Sequence, residues 1–316
     1  MTRVAAVPQT LNGEAFEALL AEAAQAGGER LLFDARHVRF ADPYGMLGLL
    51  ALGEWLREQG QSPILHLPQS TDVVRYLAGS SFLRAAETAF ELHGAPAGRV
   101  AEWPVLLPIT IINTHEDVHE VINELNEGRV SALLSEQLGY SKADAIAFSM
   151  LLSEVSQNII EHAGAAGWVG IQTYRRWRGI DRRVAVIAVM DLGTGFRGSL
   201  EREHAARFGD RWSDATALEA AFIHGVTRFR DPGRGQGLKQ IRKKVGRWGG
   251  KIAIRSGTAR IADVPEWDNA VPLEKDLPSF PGAQIEIILP AREPAPPPPP
   301  EPAPGARARA PLNRRG

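Results

Sequence analysis

There is no cysteine among the 316 residues. That excludes a disulfide framework, a thiol nucleophile, thiolate zinc sites and iron–sulfur clusters, so any metal must be held by histidine, carboxylate or amide oxygen. A long hydrophobic run is also missing. The richest stretch is Val184 to Met190, far short of the roughly 18 apolar residues a spanning helix needs. No signal-peptide h-region follows Met1, so cytoplasmic residence without membrane association is the expectation. Net charge is nearly absent as well. The 36 basic and 37 acidic side chains leave −1, which argues against a general nucleic-acid binder. Within that balance, the residues from Ala291 onward carry five arginines and two glutamates, a segment of +3 on a body of −4.

The chain does have length and apolar content enough for two cores, at 44% hydrophobic and 23% charged. Over residues 1–95 the pattern alternates α and β. Helices are expected at Glu14 to Gln25, Tyr44 to Gln59 and near Asp72 to Leu77, with strands at Arg30 to Asp34 and Pro63 to Leu67. Residues 96–104, in a stretch rich in Ala, Gly and Pro, read as a linker. Residues 105–290 read as a second domain and 291–316, with the run Pro296 to Pro300, as a disordered tail with almost nothing to bury.

The second unit opens with an apolar strand, Val105 to Asn113. Helices Glu116 to Leu138 and Lys142 to Ala163 follow, separated by Gly139-Tyr140-Ser141, and then strands Trp168 to Arg175 and Arg183 to Asp191. A long, irregular, partly helical segment reaches Asp231. Helix Leu238 to Trp248 and strands near Lys251 to Arg255 and Gln284 to Leu289 close the unit. The pattern predicts helices on one face of a mixed, mostly antiparallel sheet.

Three short patterns in this unit carry chemistry. On the helix SMLLSEVSQNIIEHA, Glu154, Asn158 and Glu161 recur at i, i+4 and i+7, while Met150, Leu151, Val155 and Ile159 or Ile160 are expected to supply the core face. Asp191-Leu192-Gly193-Thr194-Gly195 follows the apolar run VAVIAVM. There an acid at a strand end can accept from an exocyclic amine, and alternating glycines let backbone approach a flat ligand. Gly233-Arg234-Gly235-Gln236-Gly237-Leu238 opens a helix, where free N–H groups form a phosphate cradle. A solvated stripe and plain glycine turns would use the same residues.

In order and spacing these patterns resemble the three boxes of the GHKL ATPase superfamily, which includes gyrase B, MutL, histidine kinases and anti-sigma-factor serine kinases. The resemblance covers roughly Val105 to Pro290 and implies a Bergerat-type α/β sandwich that binds ATP and Mg²⁺. It implies that Asp191 takes the adenine amino group, that Gly193 and Gly195 shape the base pocket, that Gly233, Gly235 and Gly237 cradle phosphate, and that Asn158 coordinates magnesium. Glu154 stands where the family has a general base. Phe196 to Pro232 takes the place of the ATP lid. One departure is Ala283, where the family often has a threonine that helps bind adenine.

The stretch LLFDARHVRFADPYGMLGLLALGEWLREQGQSPILHLPQSTDVVRYL resembles a STAS domain, the fold of anti-sigma-factor antagonists. In that family a serine in a D-S-x-G turn is phosphorylated by a GHKL serine kinase; here the turn is Asp42-Pro43-Tyr44-Gly45, and Pro43 has no hydroxyl. The two resemblances together imply a cytoplasmic regulator whose first domain docks on or restrains an ATP-binding second. It would phosphorylate serine or threonine on a separate STAS-type partner or sigma-pathway regulator, or hydrolyse ATP as a conformational timer, and a homodimer is compatible with this reading. Alternatives are a nucleotide-dependent binding module without turnover and a histidine-kinase-like protein, for which His115 leaves too little chain before Asn158 to build an acceptor hairpin.

A further alternative lies in His115-Glu116-Asp117-Val118-His119, which fits the H-E-x-x-H helix of zinc proteases. Thr114 before Glu116 and Asp117 also describes a helix start satisfying its own dipole. The basic segments Tyr174 to Arg183 and Arg242 to Arg247 read as a solvated hairpin and helix face, and Trp103, Trp168, Trp177, Trp248 and Trp267 as core and edge packing residues.

Overall fold

The computed structural model describes residues 1–94, 107–114, 116–119, 121, 123, 129–158, 167–226 and 237–292, with backbone alone at Arg129, Leu133 and Asn158. The expected linker, the loop carrying Gly233 and Gly235, and the tail from Glu293 onward lie outside the described residues, as do His115, Ile159, Ile160 and Glu161.

The N-terminal segment runs β1 (Thr2–Ala6), β2 (Thr10–Leu11), α1 (Gly13–Ala24), β3 (Arg30–Asp34), β4 (Phe40–Ala41), α2 (Pro43–Glu58), β5 (Ile64–His66), α3 (Thr71–Gly79), α4 (Phe82–Ala89), β6 (Glu91–His93). Strands β1, β3, β5 and β6 form a parallel sheet in that order, and β2 pairs with β4. Side-chain caps fix the starts of the two central helices. Asn12 Oδ1 accepts the Ala15 N–H at 3.1 Å and Asp42 Oδ1 accepts the Gly45 N–H at 2.7 Å, satisfying donors that a helix start leaves open. Pro43 occupies the first turn of α2, where its missing N–H is no loss.

The remainder runs β7 (Leu107–Ile112), α5 (Arg129–Ala132), α6 (Lys142–Asn158), β8 (Gly167–Tyr174), β9 (Val184–Asp191), α7 (Gly195–Phe208), α8 (Asp214–Phe222), α9 (Gly237–Arg247), β10 (Lys251–Gly257), β11 (Ala259–Asp263), β12 (Leu273–Glu274), β13 (Phe280–Pro290). Its seven strands form one antiparallel sheet in the order β12-β11-β10-β13-β9-β8-β7. The molecule is thus mixed α/β, with a parallel sheet followed by an antiparallel one.

Strand β9 shows how the layers meet. Ala185, Ile187 and Val189 join the core beneath α6, α8 and α9, whereas Ala188 and Met190 join the core built on α1 and α2. Alternating side chains therefore bury both faces, which explains an unbroken apolar run in an antiparallel strand. Helix α2 is in turn buried almost all round from Pro43 to Gly53. Its glycines allow the close fit: a Cβ on Gly48 would lie 2.7 Å from the Phe16 ring, and one on Gly53 would overlap the Phe90 ring. The helices that follow β7 cover one face of the large sheet, and the N-terminal segment covers the other.

Some expectations change. Met150 does not supply the core face of α6; it is 68% exposed, as is Ile146 one turn earlier at 58%, while Leu151 and Val155 are buried. The periodic stripe was assigned one position too wide, since Phe148 and Leu152 already fill the contact. The segment after Gly195 is more regular than its sequence suggests: α7 and α8 account for most of it, and Ala217, Leu218 and Phe222 are core residues. Within the expected lid, α8 is buried, α7 is exposed or half-buried apart from Leu200, and 227–232 lie outside the described residues. Ala291 and Arg292, expected in the disordered tail, are instead held by their N–H groups, which donate to the Arg183 and Leu138 carbonyls.

Candidate functional site

Glu154 lies on α6 and Gly237 opens α9, more than eighty residues later. The fold brings them into contact. The Gly237 N–H donates to the Glu154 carboxylate, and a Cβ at Gly237 would overlap that carboxylate. Burial raises the Glu154 pKa and the Gly237 N–H opposes the rise. The first residue of a helix has an unsatisfied N–H and sits at the positive end of the dipole, so Glu154 helps cap α9.

Asp191 ends β9. Its Oδ1 accepts the Gly193 N–H at 2.8 Å, and the Ala283 N–H on β13 also donates to its carboxylate. Desolvation outweighs these bonds and pushes its pKa up to about 6. A carboxylate offers about four acceptor positions; two backbone donors leave capacity for an exocyclic amine. Position 283 contributes its backbone donor to this corner and no hydroxyl. Strand alternation from Val189 puts Asp191 on the sheet face that carries α6 and α9.

The turn after Asp191 is held tightly. Gly195 has φ +66°, and a Cβ there would lie 2.6 Å from Ser256 Oγ and 2.9 Å from the Gly282 carbonyl. Gly282 has φ +74°, and its Cβ would overlap the Asp191 backbone. Two left-handed glycines thus let β9, β13 and the start of α7 approach at one corner. The sequence reading found Gly195 but missed Gly282 and Ser256. The dipeptide Pro281-Gly282 was a legible turn signal; Ser256, inside a strand, had none.

The corner thus joins an acceptor of spare capacity to a turn whose Gly195 and Gly282 positions are closed by neighbouring protein atoms. Of the residues expected at a phosphate, Gly237 and Glu154 are described, Gly233 and Gly235 lie outside the described residues, and Asn158, at the end of α6, is placed by backbone alone.

The H-E-x-x-H stretch behaves as a helix start. Thr114 Oγ1 accepts the Asp117 N–H at 3.2 Å and Asp117 Oδ2 accepts the Asn113 and Thr114 N–H groups at 2.7 and 2.8 Å, a reciprocal cap. His119 is exposed, and among the described residues no group of three metal-ligating side chains is assembled. The basic segments carry local pairs, Arg176 with Asp181 at 2.9 Å and Arg242 with Asp263 at 2.8 Å. The tryptophans pack: Trp168 is buried, and the Trp248 and Trp267 indoles donate to Asp144 and to the Gly249 carbonyl.

The turn Asp42-Pro43-Tyr44-Gly45 is wholly buried. Pro43 and Leu47 lie against Gly170 of β8, on the sheet face opposite α6 and α9. Desolvation first, and the Glu286 carboxylate second, push the Asp42 pKa up to about 8. Polar contacts tie the same interface. Tyr174 donates to the Ala41 carbonyl at 3.3 Å and shares a hydrogen bond of 3.1 Å with Tyr76. Arg255 of β10, fully buried, meets both carboxylate oxygens of Glu17 on α1 at 2.6 and 3.3 Å. The chain matches no protein-family model and no curated protein sequence.

Proposed function

We propose that this protein is a Mg-ATP-binding regulator in which residues 105–290 form a GHKL-type nucleotide domain and residues 1–95 a STAS-like docking domain, and that it transfers phosphate to serine or threonine of a separate STAS-type partner. The observation that carries the reading is the meeting of Glu154 with Gly237 on the sheet face that also carries Asp191, three positions far apart in sequence. Asp191 would accept from the adenine amine, Gly193 would let the base approach the backbone, Gly195 and Gly282 would hold the turn that shapes the base pocket, and the N-terminus of α9 would face phosphate. Magnesium, with Asn158 as its protein ligand, would neutralise phosphate charge. Glu154 would hold the attacking hydroxyl or water in line, a base poised by its raised pKa.

The burial of α2 against the sheet supports a docked first domain. Pro43 at a buried turn supports one that is not itself the phosphoacceptor. A binding module without turnover is the second reading, favoured by the engagement of Glu154 with Gly237.

The test is a single-turnover reaction with γ-labelled ATP, with and without an added serine-bearing STAS domain, comparing wild type with Glu154→Gln. Label on the added protein, lost in the variant, supports the kinase. Label released as inorganic phosphate makes the protein an ATPase. Bound nucleotide without either makes it a binding module.

A further inference from the structure

Strand β10 carries two consecutive buried polar residues that reach opposite sheet faces. Ser256, 3% exposed, faces the Asp191 corner. Its Oγ accepts the Phe196 N–H at 3.1 Å and donates to the Gly282 carbonyl at 2.7 Å. One hydroxyl therefore ties the first turn of α7, which is the end of the Asp191–Gly195 turn, to the β13 glycine packed on the Asp191 peptide. Arg255, fully buried, faces α1. It holds Glu17, donates to the Gly257 and Pro278 carbonyls, and lies 5.8 Å from the Phe16 and Phe280 rings. The β10–β13 register shifts between Arg255 and Gly257, so Ser256 projects from the irregular step itself.

Stacked on this step is a third tie. Gln284, the register partner of Arg255, donates from Nε2 to the Asp191 carbonyl at 3.3 Å and to the Pro281 carbonyl at 2.7 Å. Gln284 thus holds the Asp191 carbonyl from β13, while Ser256 holds the Gly282 carbonyl beside it and Gly167 of β8 pairs with Asp191 on the other side.

We propose that Ser256 is a positioning residue for the adenine end of the nucleotide site, and that Glu17 of the N-terminal segment, through Arg255, holds the strand step that presents it. The proposal rests on the nucleotide reading above. It makes α1 part of the build of a site on the far side of the sheet. Removing the Ser256 hydroxyl frees the Phe196 N–H and the Gly282 carbonyl, so the turn shifts and the Asp191 carboxylate no longer meets the amine squarely. Substituting Glu17 leaves a fully buried guanidinium with half its partners, which disturbs the same step from behind.

The test compares calorimetric affinities for Mg-ATP and for the magnesium complex of purine riboside triphosphate, which lacks the 6-amino group. Their ratio isolates the contact at Asp191. The wild-type ratio is expected at about tenfold or more, as for a hydrogen bond to a charged group. Ser256→Ala should bring the ratio close to one with a modest fall in melting temperature, since two backbone groups lose their partner, Ser256→Thr should restore most of both, and Glu17→Gln should lower the ratio several-fold. Wild-type binding with an unchanged ratio in Ser256→Ala overturns the proposal alone. An equal loss for both nucleotides alongside a lowered melting temperature also overturns it, by making Ser256 merely structural. No binding of either nucleotide by wild type overturns the nucleotide reading and the proposal together.

Discussion

Two carboxyls sit where ionisation is costly, and each makes a prediction at the scale of one residue. The Asp191 pKa is raised to about 6, above its unfolded value. Its favourable contribution to stability is therefore complete below pH ~4 and lost as pH rises through about 6. Asp191→Asn should melt higher than wild type at pH 7.5 and equally at pH 4, which thermal melts across pH would show. The acceptor role runs the other way: only the ionised form takes an amine without first losing a proton, so Mg-ATP affinity should fall as pH drops below 6. Asp42 has its pKa raised to about 8, so the stability gap between Asp42→Asn and wild type should widen from pH 4 to pH 8 and then level off. Asn keeps the Oδ1 cap on Gly45, which makes charge the only variable. A gap independent of pH would show that Asp42 is ionised in the folded protein.

At the scale of elements, Glu154 and Gly237 join α6 to the start of α9. Glu154→Gln retains an acceptor for the Gly237 N–H, whereas Glu154→Ala removes it and leaves that donor unmet. The expectation is that Gln spares stability and nucleotide affinity while abolishing transfer, and that Ala also lowers stability by about 1 kcal/mol; chemical denaturation of the two variants measures the difference. Element by element, the strand at Arg30 and the helices on Glu14, Tyr44 and Lys142 were legible because each combines a period with a cap or turn residue. Strands β2 and β4 are two residues long, too short for a period to register. Helix α8 was legible only as part of an irregular, partly helical segment, because Ala215, Ala217, Ala220 and Ala221 are buried in the structure but give no clear apolar stripe in the sequence. At the site, Glu154, Asp191 and Gly237 could be read from spacing. Ser256 and the Arg255–Glu17 pair could not, because nothing in a strand's sequence announces a partner reached only through tertiary packing.

For the whole molecule, the N-terminal segment and the large sheet share a core, in which Phe16, Leu47, Met190 and Phe280 belong to one cluster. Such a core predicts a single cooperative unfolding transition rather than two, observable as one calorimetric peak whose van't Hoff and calorimetric enthalpies agree. Leu47→Ala, at a fully buried position facing β8, should lower stability by about 2–5 kcal/mol without splitting that transition. The same architecture leaves α6, α9 and the Asp191 corner on the opposite face, clear of the N-terminal segment. The first domain would thus act on a nucleotide from behind, through the sheet, and not by covering the site. The most direct measurement is a calorimetric titration of Mg-ATP into wild type and Asp191→Asn at pH 7.5 and matched magnesium. Binding by wild type that weakens at least tenfold in the variant is the predicted result; equal affinity in both proteins, or no heat with either, would contradict the assignment of Asp191 and with it the nucleotide site.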